Sequence, residues 1–207
     1  MLIVFEGIDG SGKGEQIKML ARFLRQHKIA YKIRKYPTKK AKEAHAHLKR
    51  KATLSPERLA KAFALDIMAQ QGKIKQEIAK GLIVICDRYL QSTLAYQGIG
   101  GRYKKLKEML LGYGALVPEL VLLMDVDAKE AARRKSAQKL EDRYDQDPLF
   151  LSKVRRNYLR MAKEGFLSYK YIVLDARRPK EEVFSRVLAQ VEPLLVKKME
   201  RGRREIA

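Results

Sequence analysis

Leu2-Ile3-Val4-Phe5-Glu6-Gly7-Ile8-Asp9-Gly10-Ser11-Gly12-Lys13-Gly14 decides the fold of this chain. Leu2 to Phe5 form an apolar, strand-like run that leads straight into a glycine-rich turn. Gly7, Gly12 and Lys13 fit the phosphate-loop pattern of glycine, four residues, glycine and lysine. Where that pattern closes with Ser or Thr, this chain has Gly14. Backbone N–H groups in such a turn point inward at phosphate oxygens, since glycine permits the dihedrals required. A helix from Lys13 to about residue 27 follows, with Ile17, Leu20 and Leu24 on one face. Its positive N-terminus supports the same anion, and Lys13 reaches the terminal phosphates. The segment therefore predicts binding of a nucleoside triphosphate along Gly7, Ile8, Asp9, Gly10, Ser11, Gly12, Lys13 and Gly14.

Further strand-like runs occur at Tyr31–Arg34, Leu82–Cys86, Leu120–Val126 and Tyr171–Leu174, with helical stretches between them. Alternation of this kind predicts an α/β fold: three layers, with a parallel sheet of about five strands flanked by helices. Ligands of such sheets sit at the carboxyl ends of the strands. Ser55-Pro56 marks a helix start, an N-cap followed by proline in the first turn, and Gly81 ends that helical region. An acceptor-side helical segment is expected over about residues 37–80. The charged stretch at about 132–147, rich in Arg and Lys, follows a core strand and predicts a mobile lid. One domain over residues 1–207 accommodates all of this.

The chain is 46% hydrophobic, enough for one substantial core. No apolar run approaches the roughly eighteen residues that span a membrane, and no signal peptide is read at the N-terminus. The single cysteine, Cys86, lies in an apolar strand and allows no internal disulfide, so a reducing cytoplasmic location is expected. A net charge of +21 attracts anions, and non-specific nucleic-acid contact is its expected side effect. The basic residues are spread over nearly every helix, and no base-reading motif or aromatic single-strand platform is present. His45 and His47, two apart, fall on different helix faces and are read as surface residues.

A second constellation begins at the end of the third strand, Asp87-Arg88-Tyr89-Leu90-Gln91-Ser92-Thr93-Leu94-Ala95-Tyr96-Gln97-Gly98. A carboxylate ending a strand beside a phosphate loop can hold magnesium, directly or through water. Arg88 offers a planar fork for a phosphate.

With Phe5-Glu6-Gly7-Ile8-Asp9-Gly10, this segment closely resembles the thymidylate kinase family. The resemblance extends to Tyr36-Pro37, Phe63-Ala64-Leu65-Asp66, Leu122–Val126, Asp142-Arg143-Tyr144, Val154–Tyr158 and Asp175-Ala176. It implies transfer of the γ-phosphoryl group of ATP to dTMP, with Mg²⁺ and a homodimeric assembly. By the same resemblance, Asp9 lies near the acceptor's 3′-hydroxyl and Phe63 stacks on the base. Arg88 grips the acceptor phosphate, Tyr36 and Ser92 also bind the acceptor, and Lys39 or Lys40 stands in for the family's usual phosphate contact on that loop. Thr93 and Gln97 line the pocket, and Tyr96 excludes a 2′-hydroxyl. Asp87 organises magnesium through water, while the lid arginines, Arg134 and Arg143, cover the transferring group. Phosphoryl transfer depends on such positioning and electrostatics.

Four positions depart from the family pattern. Gly14 lacks the metal-binding hydroxyl. Ile67 stands where an arginine meets the base, so Phe63 and Ile67, four apart, form an apolar wall. Ser136 and Gln138 replace lid arginines, and Thr38-Lys39-Lys40 replaces the usual arginine or glycine pair. Two alternatives remain open at this point. One is a kinase for another pyrimidine monophosphate (dUMP, dCMP or CMP). The other is a catalytically weak nucleotide- or nucleic-acid-binding protein.

Overall fold

The structure, a computed structural model, describes residues 1–136 and 147–204. Five strands, β1 (Leu2–Glu6), β2 (Tyr31–Lys35), β3 (Ile83–Asp87), β4 (Leu120–Asp125) and β5 (Tyr171–Asp175), form one sheet. Every pairing is parallel, in the order β2-β3-β1-β4-β5. Strands covered on both faces must be apolar throughout. Accordingly, β1, β3 and β4 are buried along almost their whole length, whereas β2 and β5, at the edges, are partly exposed.

Nine helices among the described residues wrap the sheet: α1 (Lys13–Gln26), α2 (Lys42–Leu48), α3 (Pro56–Met68), α4 (Gln71–Ala79), α5 (Leu90–Gln97), α6 (Tyr103–Gly112), α7 (Ala128–Ser136), α8 (Pro148–Glu164) and α9 (Lys180–Arg204). The face of α1 that carries Ile17, Leu20 and Leu24 is buried, as the periodicity predicts. Ser55 caps α3, its Oγ accepting from the Arg58 N–H at 3.2 Å, with Pro56 in the first turn. Asp147 does the same for α8 ahead of Pro148. Both caps satisfy N–H groups that a helix start leaves unpaired. The helical region that ends at Gly81 is interrupted between Met68 and Gln71, giving α3 and α4 in place of one long helix.

The topology concentrates chemistry on one edge. Strand β1 lies between β3 and β4, so the crevice outside its carboxyl end is where ligands enter such a sheet. Glu6, Asp87, Asp125 and Asp175 all terminate strands there, with Phe5 in register with Asp87 and Asp125 with Asp175.

Of the lid expected at about 132–147, the described part is the end of α7. Arg143, with Gln138 and Lys139, lies outside the described residues. His47 is a correction. It is 5% exposed, and its Nδ1 accepts the Leu54 N–H at 3.1 Å. The two-residue spacing does separate the faces, but the face carrying His47 packs inward and leaves His45 half-buried.

Candidate active site

The phosphate loop joins β1 to α1. Gly7, Gly10 and Gly12 all have positive φ, and Gly12 is the N-cap of α1. At Gly10 the constraint is steric as well as conformational. An ideal Cβ there would stand 2.3 Å from the Ala131 carbonyl oxygen of α7. No side chain fits at this position, which ties the loop directly to the helix carrying Arg134. Gly14 is different: a Cβ there would meet nothing within 4 Å.

Lys13 folds back over the loop. Its Nζ donates to the Gly7 and Ile8 carbonyls, both at 2.9 Å, and to Ser11 Oγ at 3.5 Å. Burial pulls its pKa down to about 8, and the Arg88 charge adds to the effect, against Asp9, Asp87 and Glu6. A lysine so placed gains electrostatically when a polyphosphate arrives.

Arg88 emerges where β3 ends and adopts φ 72°, a left-handed backbone conformation rarely taken by a long side chain. Its Nη2 donates to Asp9 Oδ1 at 2.6 Å, and its Nη1 donates to Ser92 Oγ at 2.9 Å and Tyr158 Oη at 3.3 Å. Nη1 also donates to the Gly7 carbonyl at 3.3 Å, and the guanidinium lies 5.3 Å from the Tyr96 ring centre. Asp9 and Tyr96 meet through the Tyr96 hydroxyl at 3.4 Å. These contacts bring the phosphate loop, the end of β3 and helix α5 to one point.

That point opens into a cavity of about 230 Å³. Asp9, Tyr36, Phe63, Ile67, Arg88, Ser92, Thr93, Tyr96 and Gln97, all expected on the acceptor side, line it. Lys39 does not: it is exposed on the turn after β2. Lys35 and Leu48, not anticipated from the sequence, line the cavity in its place. The turn is held by Asp66, which accepts from both the Thr38 N–H, at 2.7 Å, and the Thr38 hydroxyl. Asp66 sits beside Ile67, so the helix position that walls the cavity also anchors its rim.

A second cavity, of about 130 Å³, lies on the other side of the loop, bounded by Ser11, Gly12, Gln16, Arg134, Arg178 and Lys180 among others. Gln16 Nε2 donates to the Lys180 carbonyl at 3.0 Å and pins the start of α9 against α1. Arg134 overhangs the loop, its Nη1 3.9 Å from a Cβ placed on Gly12. Glu130 steadies it by accepting from Arg134 Nε at 2.7 Å and also pairs with Arg133. These two arginines hold the Glu130 carboxyl down at about 2. Gln16, Arg178 and Lys180 carried no local motif; only the approach of α9 to α1 makes them neighbours.

The oxygen donors fit a magnesium ion that keeps most of its waters. Asp87 stands at the loop with its carboxylate 3.8 Å from Lys35 Nζ. Among the described residues no cluster of three or more His, Cys, Asp or Glu could cage a metal. One carboxylate plus substrate phosphates is the usual protein share for Mg²⁺.

The sequence matches the model of the family described as thymidylate kinase over residues 5–187. The chain belongs to the thymidylate kinase family. It is 34% identical over 193 residues to the probable thymidylate kinase of Methanocaldococcus jannaschii, covering 93% of this chain and 96% of that one. It is 32% identical over 213 residues to the thymidylate kinase of Chlamydia abortus, covering 97% and 100%. The family match takes in the phosphate loop, the Asp87–Gly98 segment and α8. Both cavities are therefore built from matched residues.

Proposed function

We infer that the protein is a phosphotransferase that moves the γ-phosphoryl group of ATP to dTMP, giving dTDP. The observation that carries this reading is the pair of cavities on either side of one phosphate loop, within a chain of the thymidylate kinase family. Two nucleotides placed in them share that loop, which is the geometry a direct transfer needs.

On this reading the donor phosphates lie along residues 7–14, under the Lys13 ammonium and the Arg134 guanidinium. The acceptor lies in the larger cavity, its base between Phe63 and the Ile67 wall and its sugar near Asp9 and Tyr96. Arg88 meets the acceptor phosphate while Asp9 holds the other side of its fork. Lys35, on the cavity rim, supplies the cation that Lys39 is too distant to supply. Asp87 would help to hold Mg²⁺, which when bound would supply positive charge to the donor phosphates. The Gly14 position places no hydroxyl near it. Chemistry then consists of aligning the attacking and leaving oxygens and screening charge, to which the chain's fixed cations contribute.

No described helix is long and apolar enough to cross a membrane. A homodimer is proposed by analogy with the family, with Leu65 on α3 and Leu111 on α6, both about half exposed, available to an interface. Sedimentation tests that assembly.

The function is tested by a coupled kinase assay with ATP and Mg²⁺ over dTMP, dUMP, dCMP and CMP. Fastest turnover with dTMP is expected. Turnover of CMP without dTMP overturns the acceptor, and no turnover with any monophosphate overturns the enzyme.

A further inference from the structure

Glu6 ends β1 one residue before the phosphate loop and is completely buried, at 0% exposure. A carboxylate in such a place carries a large desolvation cost unless its lone pairs are used. All the contacts it makes lead to the acceptor side. Oε1 accepts the backbone N–H groups of Tyr89, at 2.7 Å, and of Ser92, at 3.2 Å. Oε2 accepts the hydroxyls of Ser92, at 2.6 Å, and Tyr158, at 3.0 Å.

The two backbone donors are the N-cap and third positions of α5, a helix whose own N-cap residue, Tyr89, makes no side-chain cap. In a capping box those two N–H groups are satisfied by two local side chains. Here one carboxylate oxygen from another strand satisfies both, and its charge sits at the positive end of the helix. The two hydroxyl donors are the pair on which the Arg88 Nη1 rests, at 2.9 Å for Ser92 and 3.3 Å for Tyr158. Ser92 Oγ and Tyr158 Oη also stand 2.8 Å apart, close enough for one hydroxyl to share its proton between Glu6 and the other. Glu6 therefore holds both ends of the Arg88 problem. It fixes the backbone that leaves Arg88 at φ 72° and the hydroxyls that orient its fork.

We propose that Glu6, acting through Ser92 and Tyr158, is a positioning residue for Arg88 and thus sets acceptor-phosphate binding and transfer without touching substrate. The claim rests on the acceptor role assigned to Arg88 above. Burial raises the Glu6 carboxyl, and Arg88, the Ser92 and Tyr158 hydroxyls and the Tyr89 N–H act against that rise. Such a group is expensive to keep unless it has a task, and the mechanism otherwise leaves it unused.

Glu6→Gln keeps the shape but replaces one acceptor oxygen with a donor. Tyr158→Phe removes one of the two hydroxyls that join Glu6 to Arg88 and keeps the ring. Steady-state kinetics with dTMP and ATP varied separately, alongside melting temperature, test the idea. Both variants are expected to lose about 10- to 100-fold in kcat/KM for dTMP, while KM for ATP stays within about threefold, as outer-shell changes do. The double variant is expected to lose little more than Glu6→Gln alone, because the two act through one path. A folded Tyr158→Phe whose kcat/KM for dTMP stays within about twofold of wild type overturns the proposal. So does a parallel loss toward both substrates that follows only the folded fraction. If Glu6→Gln does not fold, Tyr158→Phe decides alone. Wild-type protein in the same assay separates the failures: no dTMP turnover there sinks the assigned function, whereas normal turnover with insensitive variants sinks the role of Glu6.

Discussion

The Arg88 guanidinium donates to Asp9 Oδ1 across 2.6 Å, joining the end of β3 to the middle of the phosphate loop. The pair is largely sheltered, with the arginine side chain 15% and the aspartate 32% exposed. An arriving phosphate competes with Asp9 for the same fork. Arg88→Ala removes that fork and should lower kcat/KM for dTMP by about 10³-fold, the scale of a lost transition-state donor. Circular dichroism should show the fold retained. Activity within a few-fold of wild type contradicts the assignment.

Lys13 gives a pH dependence. Its folded pKa is near 8, below the ordinary 10.5, so the empty protein binds this proton less tightly than the unfolded chain does. The sign follows: this group costs stability below pH 8, and the cost is relieved as pH rises from about 8 to 10.5. Phosphate charge raises the pKa again. ATP binding above pH 8 should therefore take up a proton, and affinity should fall by up to about tenfold per pH unit. Calorimetry in buffers of different ionisation heat measures the uptake. Zero uptake at pH 8.5, or its persistence in Lys13→Met, removes Lys13 as the cause.

Gly10 and Gly14 make opposite predictions. Gly10→Ala sets a Cβ against the Ala131 carbonyl at positive φ and should cost about 1–3 kcal/mol, with a raised KM for ATP. Gly14→Ser meets open space, should gain a few tenths of a kcal/mol in helix propensity, and offers a hydroxyl. Its expected effect is a several-fold lower Mg²⁺ concentration at half-maximal rate. An unchanged Mg²⁺ curve argues against a metal beside residue 14.

Ile67, 2% exposed, closes the cavity opposite Arg88 with no hydrogen-bond donor. Ile67→Arg should increase the preference for dTMP over CMP, because a site that hydrogen-bonds its ligand rejects analogues more strongly. Competition between the two monophosphates measures it. An unchanged ratio removes residue 67 from base selection.

Local motifs made much of this site readable. Residues 7–14 and 87–98 are each continuous in sequence: glycine spacing announced the first, resemblance to the thymidylate kinase family the second, and both sit at strand ends of one parallel sheet. Lys35, Gln16 and Tyr158 gave no such signal. Each acts on a segment far along the chain: Gln16 on Lys180, Tyr158 on Glu6. Nearness to Pro37 suggests Lys39 as a cavity residue, but the Asp66–Thr38 hydrogen bonds hold the turn, and Lys39 on it is exposed.

The sequence by itself determined the strand-turn-helix of the phosphate loop and the parallel α/β order, since periodicity and glycine spacing are local properties, whereas the expected acceptor-side residues rested on family resemblance. Only the tertiary structure decided what orients them. Whether Glu6 serves the core or the site depends on which groups stand opposite a buried carboxylate. That is settled by β3, α5 and α8 closing around it, because the desolvation of a buried charge must be answered by donors drawn from wherever the chain brings them.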